Sequence, residues 1–126
     1  MNKHPLHTQH ELPLVSIAMC TYNGEQFLRE QIESLLIQTY SNIEIIVVDD
    51  ASKDNTKIIL EEYAIKDKRL RFIVNENNIG FNKNFEKAIH LCTAPFIAIS
   101  DQDDIWETNK IEIMMKEWRE GSLFMY

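Results

Sequence analysis

The chain has 126 residues, 44% of them hydrophobic and 26% charged, which is enough for one globular core and too little for two ordinary domains. Its formal net charge of -7 excludes a nonspecific nucleic-acid binder, because no Lys/Arg stripe is available to displace counterions from phosphates. The longest apolar runs, such as Ile45-Ile46-Val47-Val48, fall far short of the roughly 20 residues that cross a bilayer, and no basic start precedes an apolar stretch at the N-terminus.

Residues 1–13 read as a flexible tail; His4, His7 and His10 recur every third residue there, and a tail is preferred to a metal site. VSIAMC, from Val15 to Cys20, is a strand buried on both faces, since its apolar residues do not strictly alternate. TYNG breaks it. Phe27, Leu28, Ile32, Leu35 and Leu36 then repeat at helical spacing and predict an amphipathic helix from Glu25 to Ile37. After a turn at Ser41-Asn42, IEIIVVDD is a second strand, rich in β-branched residues and ending in two acids. Ser52 or Asp54 caps the next helix, which carries Ile58, Ile59, Leu60 and Tyr63 toward a core.

LRFIVN is a third strand. ENNIG leads from it into a helix from Asn82 to Leu91 that uses Phe85, Ala88 and Ile89, and PFIAIS is a fourth strand running into DQDD. Ile111, Met114, Met115 and Trp118 mark a last helix and read as core. GSLFMY begins something apolar, so the chain reads as the front part of a longer protein, with apolar surface that favours homo-oligomers. Cys20 and Cys92 belong to no close Cys/His cluster and are expected as reduced, partly buried thiols.

Strands alternating with helices imply right-handed crossovers and an α/β fold with a mainly parallel sheet flanked by helices. In such sheets ligands collect beyond the carboxyl ends of the strands. TYNG, DDASKD, NENNIG and DQDD all occupy those ends. Asp101, Asp103 and Asp104 are hard oxygen donors that repel one another in so short a turn, which suits magnesium or manganese. One of Asp101 and Asp103 can take a ligand hydroxyl while the other takes metal; a solvated loop with a helix cap is the plainer alternative. Of Asp49 and Asp50, one can accept from a nucleobase N–H or ribose hydroxyls and the other can cap the following helix. Thr21, Tyr22 and Asn23 offer an aromatic face and an amide, or a plain turn. Asn78 and Gly80 permit a tight loop before a helix N-terminus, which can favour phosphate, and Lys83 is the nearest cation.

VSIAMCTYN, IEIIVVDDASKDNT, NENNIGFNKNFEKAI and PFIAISDQDDIW together resemble the N-terminal nucleotide-sugar-binding half of family 2 glycosyltransferases, which have the Rossmann-like GT-A fold. The likeness runs from about Leu14 to Trp118 and is greatest for members that extend bacterial surface polysaccharides, rhamnosyltransferase-like ones included. It implies a nucleoside diphosphate sugar donor, UDP- or dTDP-linked, a glycan acceptor, and a Mn2+ or Mg2+ cofactor. By the same resemblance Thr21, Tyr22 and Asn23 line the nucleotide pocket, Asp50 contacts the base, Asp101 the ribose side, and Asp103 the metal that bridges the diphosphate.

Many relatives carry Ala-Arg-Asn in the helix after the Asn-x-Gly turn; here Asn84, Phe85 and Glu86 stand in its place, and Lys83 is the substitute for the arginine's phosphate contact. Family members usually invert the anomeric configuration with an acidic general base from the second half of the domain, a part expected beyond Tyr126. The 126 residues are therefore expected to bind donor without transferring sugar by themselves. A cytoplasmic location follows, at the inner face of the membrane for the full-length protein.

Two other readings compete. A phosphoacceptor receiver domain also has paired acids at one strand end and an acid about 50 residues later, but it begins with the acidic strand, whereas VSIAMC precedes it here. A nucleotidyltransferase would show a Gly-rich phosphate loop after the first strand, and the chain holds only three glycines.

Overall fold

The structure is a computed structural model that describes residues 12–121. His4, His7, His10 and the apolar end Leu123–Tyr126 lie outside the described residues. The elements in chain order are β1 (Val15–Thr21), α1 (Glu25–Leu36), β2 (Ile43–Asp49), α2 (Thr56–Lys66), β3 (Leu70–Val74), α3 (Phe81–Leu91), β4 (Phe96–Ser100) and α4 (Lys110–Arg119). All strand pairs are parallel, in the order β3-β2-β1-β4. The two central strands are buried at every residue, which is why their sequences run apolar instead of alternating.

Alternate residues of β1 and β2 feed two cores. Ile17, Met19, Ile45 and Val47 pack with Leu28, Ile32 and Leu35 of α1, Ile59, Leu60 and Tyr63 of α2, and Ile111, Met114 and Met115 of α4. On the opposite face Ala18, Cys20 and Val48 meet Phe85 and Ala88 of α3, and small residues there let the helix lie close to the sheet. Among the described residues no helix is long and apolar enough to cross a membrane.

Several boundaries differ from the expectation for local reasons. α1 ends at Leu36 because Ile37 is its C-cap, with its N–H donating to Glu33 O. Asn55 occupies the cap position of α2, but the capping hydrogen bonds come from Asp54, whose Oδ1 accepts from Thr56 N at 2.9 Å and Thr56 Oγ1 at 2.6 Å. Ser52 instead serves Asp49. Ile58 is 55% exposed, since the inward stripe of α2 is Ile59, Leu60 and Tyr63. Trp118 is not core: it is 41% exposed and covers Phe96 edge-to-face, ring centroids 4.7 Å apart. α3 begins at Phe81, one residue earlier than its pattern suggests.

At the amino ends of the strands Glu44 holds the layers together. Its Oε2 accepts from Ser16 Oγ, from Thr93 N at 2.7 Å and from Thr93 Oγ1 at 2.9 Å, while Oε1 meets Arg71 Nη2 at 2.7 Å. Burial pushes this carboxyl up, but the Ser16 and Thr93 donors and Arg71 outweigh it and hold it below its usual range. Both cysteines carry free thiols, and burial pushes Cys20 up to about 12, which disfavours its thiolate.

Candidate functional site

The carboxyl ends of the four strands surround a cavity of about 440 Å³ walled by Thr21, Tyr22, Asp50, Asn78, Phe81 and Gln102, with Cys20 and Asn84 behind them. The two acids at the end of β2 have separate tasks. Asp49, fully buried, accepts from Thr21 Oγ1 and Ser52 Oγ at 2.6 Å each and from Ser52 N at 2.9 Å, which ties the end of β1 to the turn after β2. Asp50 faces the cavity, and its Oδ1 accepts from Ile79 N at 2.8 Å and Asn75 Nδ2 at 2.9 Å, its Oδ2 from Gly80 N at 2.9 Å. It thereby shapes the Asn78–Gly80 loop. Burial alone would raise the Asp50 carboxyl; the donors from Ile79, Asn75 and Gly80 and the charge of Lys87 bring it below its ordinary value.

Behind Asp50 runs a buried amide network. Asn75 Nδ2 also donates to Asn84 Oδ1 at 2.8 Å, Asn84 Nδ2 donates to Val48 O at 2.9 Å, and Lys87 Nζ donates to Asn75 Oδ1 at 2.7 Å. The cation joined to this cavity wall is therefore Lys87. Lys83 is exposed and lines no part of the cavity, and among the described residues no lysine or arginine does. Of the three residues standing where relatives carry Ala-Arg-Asn, Asn84 belongs to the network, Phe85 is buried in the core beside Ala18 and Val48, and Glu86 is exposed.

The TYNG segment is fastened by its backbone. Four successive amides donate to side chains of other loops: Tyr22 to Gln102 Oε1 at 3.0 Å, Asn23 to Ser52 Oγ at 2.7 Å, Gly24 to Thr56 Oγ1 at 3.0 Å and Glu25 to Asp54 Oδ2 at 3.2 Å. Two of these acceptors, Thr56 Oγ1 and Asp54 Oδ2, satisfy the Gly24 and Glu25 amides that the start of α1 leaves without intrahelical partners. Asn23, with φ 49°, turns its Oδ1 to Lys53 N at 2.8 Å and does not line the cavity, whereas Tyr22 does and is 44% exposed.

In the acidic turn, Asp101 N donates to Asp104 Oδ2 at 3.1 Å and Asp104 N to Asp101 O at 3.0 Å. Buried Gln31 supports the turn, with Nε2 donating to Asp101 O at 2.6 Å. Asp104 is thus spent on the turn. The Asp101 and Asp103 carboxylates are exposed, with no hydrogen-bond or ion-pair partner among the described residues. No three His, Cys, Asp or Glu side chains there converge as a metal cage. One or two hard carboxylates with open positions nevertheless fit Mg2+ or Mn2+ that takes its remaining ligands from phosphates and water. Asn75, Asn84, Phe81 and Gln102 were not expected at the site; only the polar residue just after β3 and the amide set between two acids hinted at the first and last.

A parallel sheet that brings paired acids, an exposed tyrosine and a D-x-D turn to one edge defines an α/β domain of the GT-A kind. The chain belongs to glycosyl transferase family 2, whose pattern matches residues 16–124. It is 39% identical over 114 residues to the UDP-Glc:alpha-D-GlcNAc-diphosphoundecaprenol beta-1,3-glucosyltransferase WfgD of Escherichia coli, covering 90% of this chain and 44% of that protein. Glycosyltransferase GlyG of Streptococcus pneumoniae is 37% identical over 107 residues, 85% of this chain and 36% of its own.

Among solved structures, S. aureus TarS 1-349 in complex with UDP superposes with a TM-score of 0.78 at 29% identity, over 84% of this chain and 32% of that one. The mannosyltransferase PcManGT of Pyrobaculum calidifontis, in complex with GDP-Man and Mn2+, shares the fold at a TM-score of 0.77 and 24% identity, over 82% and 32% of the two chains. The chain spans less than half the length of each of these proteins.

Proposed function

We propose that this chain binds the nucleoside diphosphate sugar of a metal-dependent, inverting glycosyltransferase that extends a glycan or polysaccharide. The observation that carries the reading is the cavity itself, lined in a family 2 domain by Tyr22, Asp50 and Gln102, the middle residue of the Asp101-Gln102-Asp103 turn. Tyr22 offers a face for the base. Asp50 orders the Asn78–Gly80 wall and keeps acceptor capacity on Oδ2, which takes one hydrogen bond. Asp101 faces the ribose and Asp103 holds the cation. A bound divalent cation supplies charge stabilisation to the departing diphosphate. That task is demanding here because, among the described residues, no lysine or arginine lines the cavity. Inversion requires a base that deprotonates the acceptor hydroxyl, and none of the described carboxylates is assigned to it.

UDP or dTDP is the expected donor moiety, in line with TarS, whose structures hold UDP and UDP-GlcNAc. Calorimetry with UDP, dTDP and GDP, with and without Mn2+, tests the reading: saturable binding strengthened by Mn2+ is expected, and no binding of any of the three would sink it. The same titrations separate the two lysines. Lys87→Met removes the donor that orients Asn75 toward Asp50 and should weaken UDP about fivefold, the equivalent of roughly 1 kcal/mol, whereas Lys83→Ala should stay within about twofold. The reverse order would restore Lys83 as the cationic contact.

A further inference from the structure

We propose that Gln102 contacts the donor directly: its Nε2 donates to an oxygen of the nucleoside diphosphate while its Oε1 holds the Tyr22 amide. The inference rests on the donor-site reading above and assigns a residue within that site. Gln102 lines the cavity, and Tyr22 N lies 3.0 Å from its carboxamide. An N–H can be met only by the oxygen of an amide, so the NH2 group must face the other way. Both of its protons lack an acceptor among the described residues. The carboxamide also lies beside Gly24, where an added Cβ would meet Gln102 Cδ at 3.4 Å, an ordinary contact distance.

The remaining polar wall is largely committed. The Thr21 hydroxyl donates to Asp49, Asn84 Nδ2 to Val48 O, and Asn78 Nδ2 to Asp50 O. With no lysine or arginine on the cavity among the described residues, an oxygen-rich anion needs neutral donors, and Gln102 is the side-chain amide there with both protons free. It also stands between two exposed carboxylates, so the turn presents acceptor, donor and acceptor in succession.

A staple role and a ligand role give different results for Gln102→Glu, because a carboxylate still accepts from Tyr22 N but can no longer donate. Titration of UDP and UMP, with Mn2+ present, into wild type, Gln102→Glu and Gln102→Met is the test. Both variants should bind about tenfold more weakly with unchanged circular dichroism, and the Gln102→Glu loss should persist at high salt, where simple repulsion is screened. Equal loss for UDP and UMP would place the contact on the nucleoside or its first phosphate; loss confined to UDP would place it on the second phosphate. Either supports the proposal. Wild-type affinity in Gln102→Glu, or a loss that vanishes with salt, overturns it and leaves the donor-site reading standing. A wild type that binds neither nucleotide overturns both.

Discussion

Asp103→Asn is expected to remove the Mn2+ dependence of UDP binding, lowering affinity in the presence of metal by about 10- to 100-fold, the range of a lost charge-assisted contact. Asparagine is the informative replacement for a conformational reason. Asp103 has φ 73°, in the left-handed region that Asn and Asp tolerate and that costs other side chains about 1–2 kcal/mol. The change therefore removes charge and leaves the backbone in place. Asp104→Asn is the control, since the Asp104 carboxylate accepts from Asp101 N and an amide oxygen can do the same. Calorimetry across a Mn2+ series checks both, and an Asp103→Asn protein whose UDP affinity still rises with metal would refute the assignment.

Asp50→Ala should be the most damaging single change at the cavity. It strips the acceptor from Ile79 N, Gly80 N and Asn75 Nδ2 together, and a loss of about 2–3 kcal/mol in stability is expected alongside loss of UDP binding. Asp50→Asn is not a mild alternative, because its NH2 group must oppose one of those donors. The effect carries a pH signature. The Asp50 carboxyl sits below its ordinary value when folded, so its stabilisation is fully present above the unfolded value of about 4 and is lost as pH falls through the lowered folded one. Urea titrations near pH 7 and near pH 3 should show wild type and Asp50→Ala converging in acid. A gap that stays constant would mean the carboxylate contributes nothing through its charge.

Most of the architecture was legible because short apolar runs, three of them stopping abruptly at acids or amides, are what buried parallel strands look like, and four such runs alternate with helices. The cavity's details were less so. Asp49 and Asp50 are adjacent and chemically equal in the sequence; only the register of β2, which ends at Asp49 opposite Thr21, turns one inward as a clasp and the other to the cavity. Lys83 is nearer than Lys87 to the Asn78–Gly80 loop along the chain, yet helical side chains lean toward the N-terminus, so the lysine one turn farther in reaches back to Asn75. Phe85 stands at the arginine position as a core residue because the facing strands offer Ala18, Cys20 and Val48. Gln102 was hidden by its neighbours, since its partner Tyr22 lies 80 positions away.

The fastening of TYNG bears on how this segment can be exchanged between relatives. The four amides from Tyr22 to Glu25 draw their acceptors from Gln102, Ser52, Thr56 and Asp54, so the segment has no hydrogen-bonding complement of its own. Grafting it alone into another scaffold would strand those N–H groups, and a chimera would misfold locally at the graft. The transferable unit is discontinuous: residues 21–25, 49–56 and 101–104 have to travel together, and sequence drift within one of them is constrained by the other two.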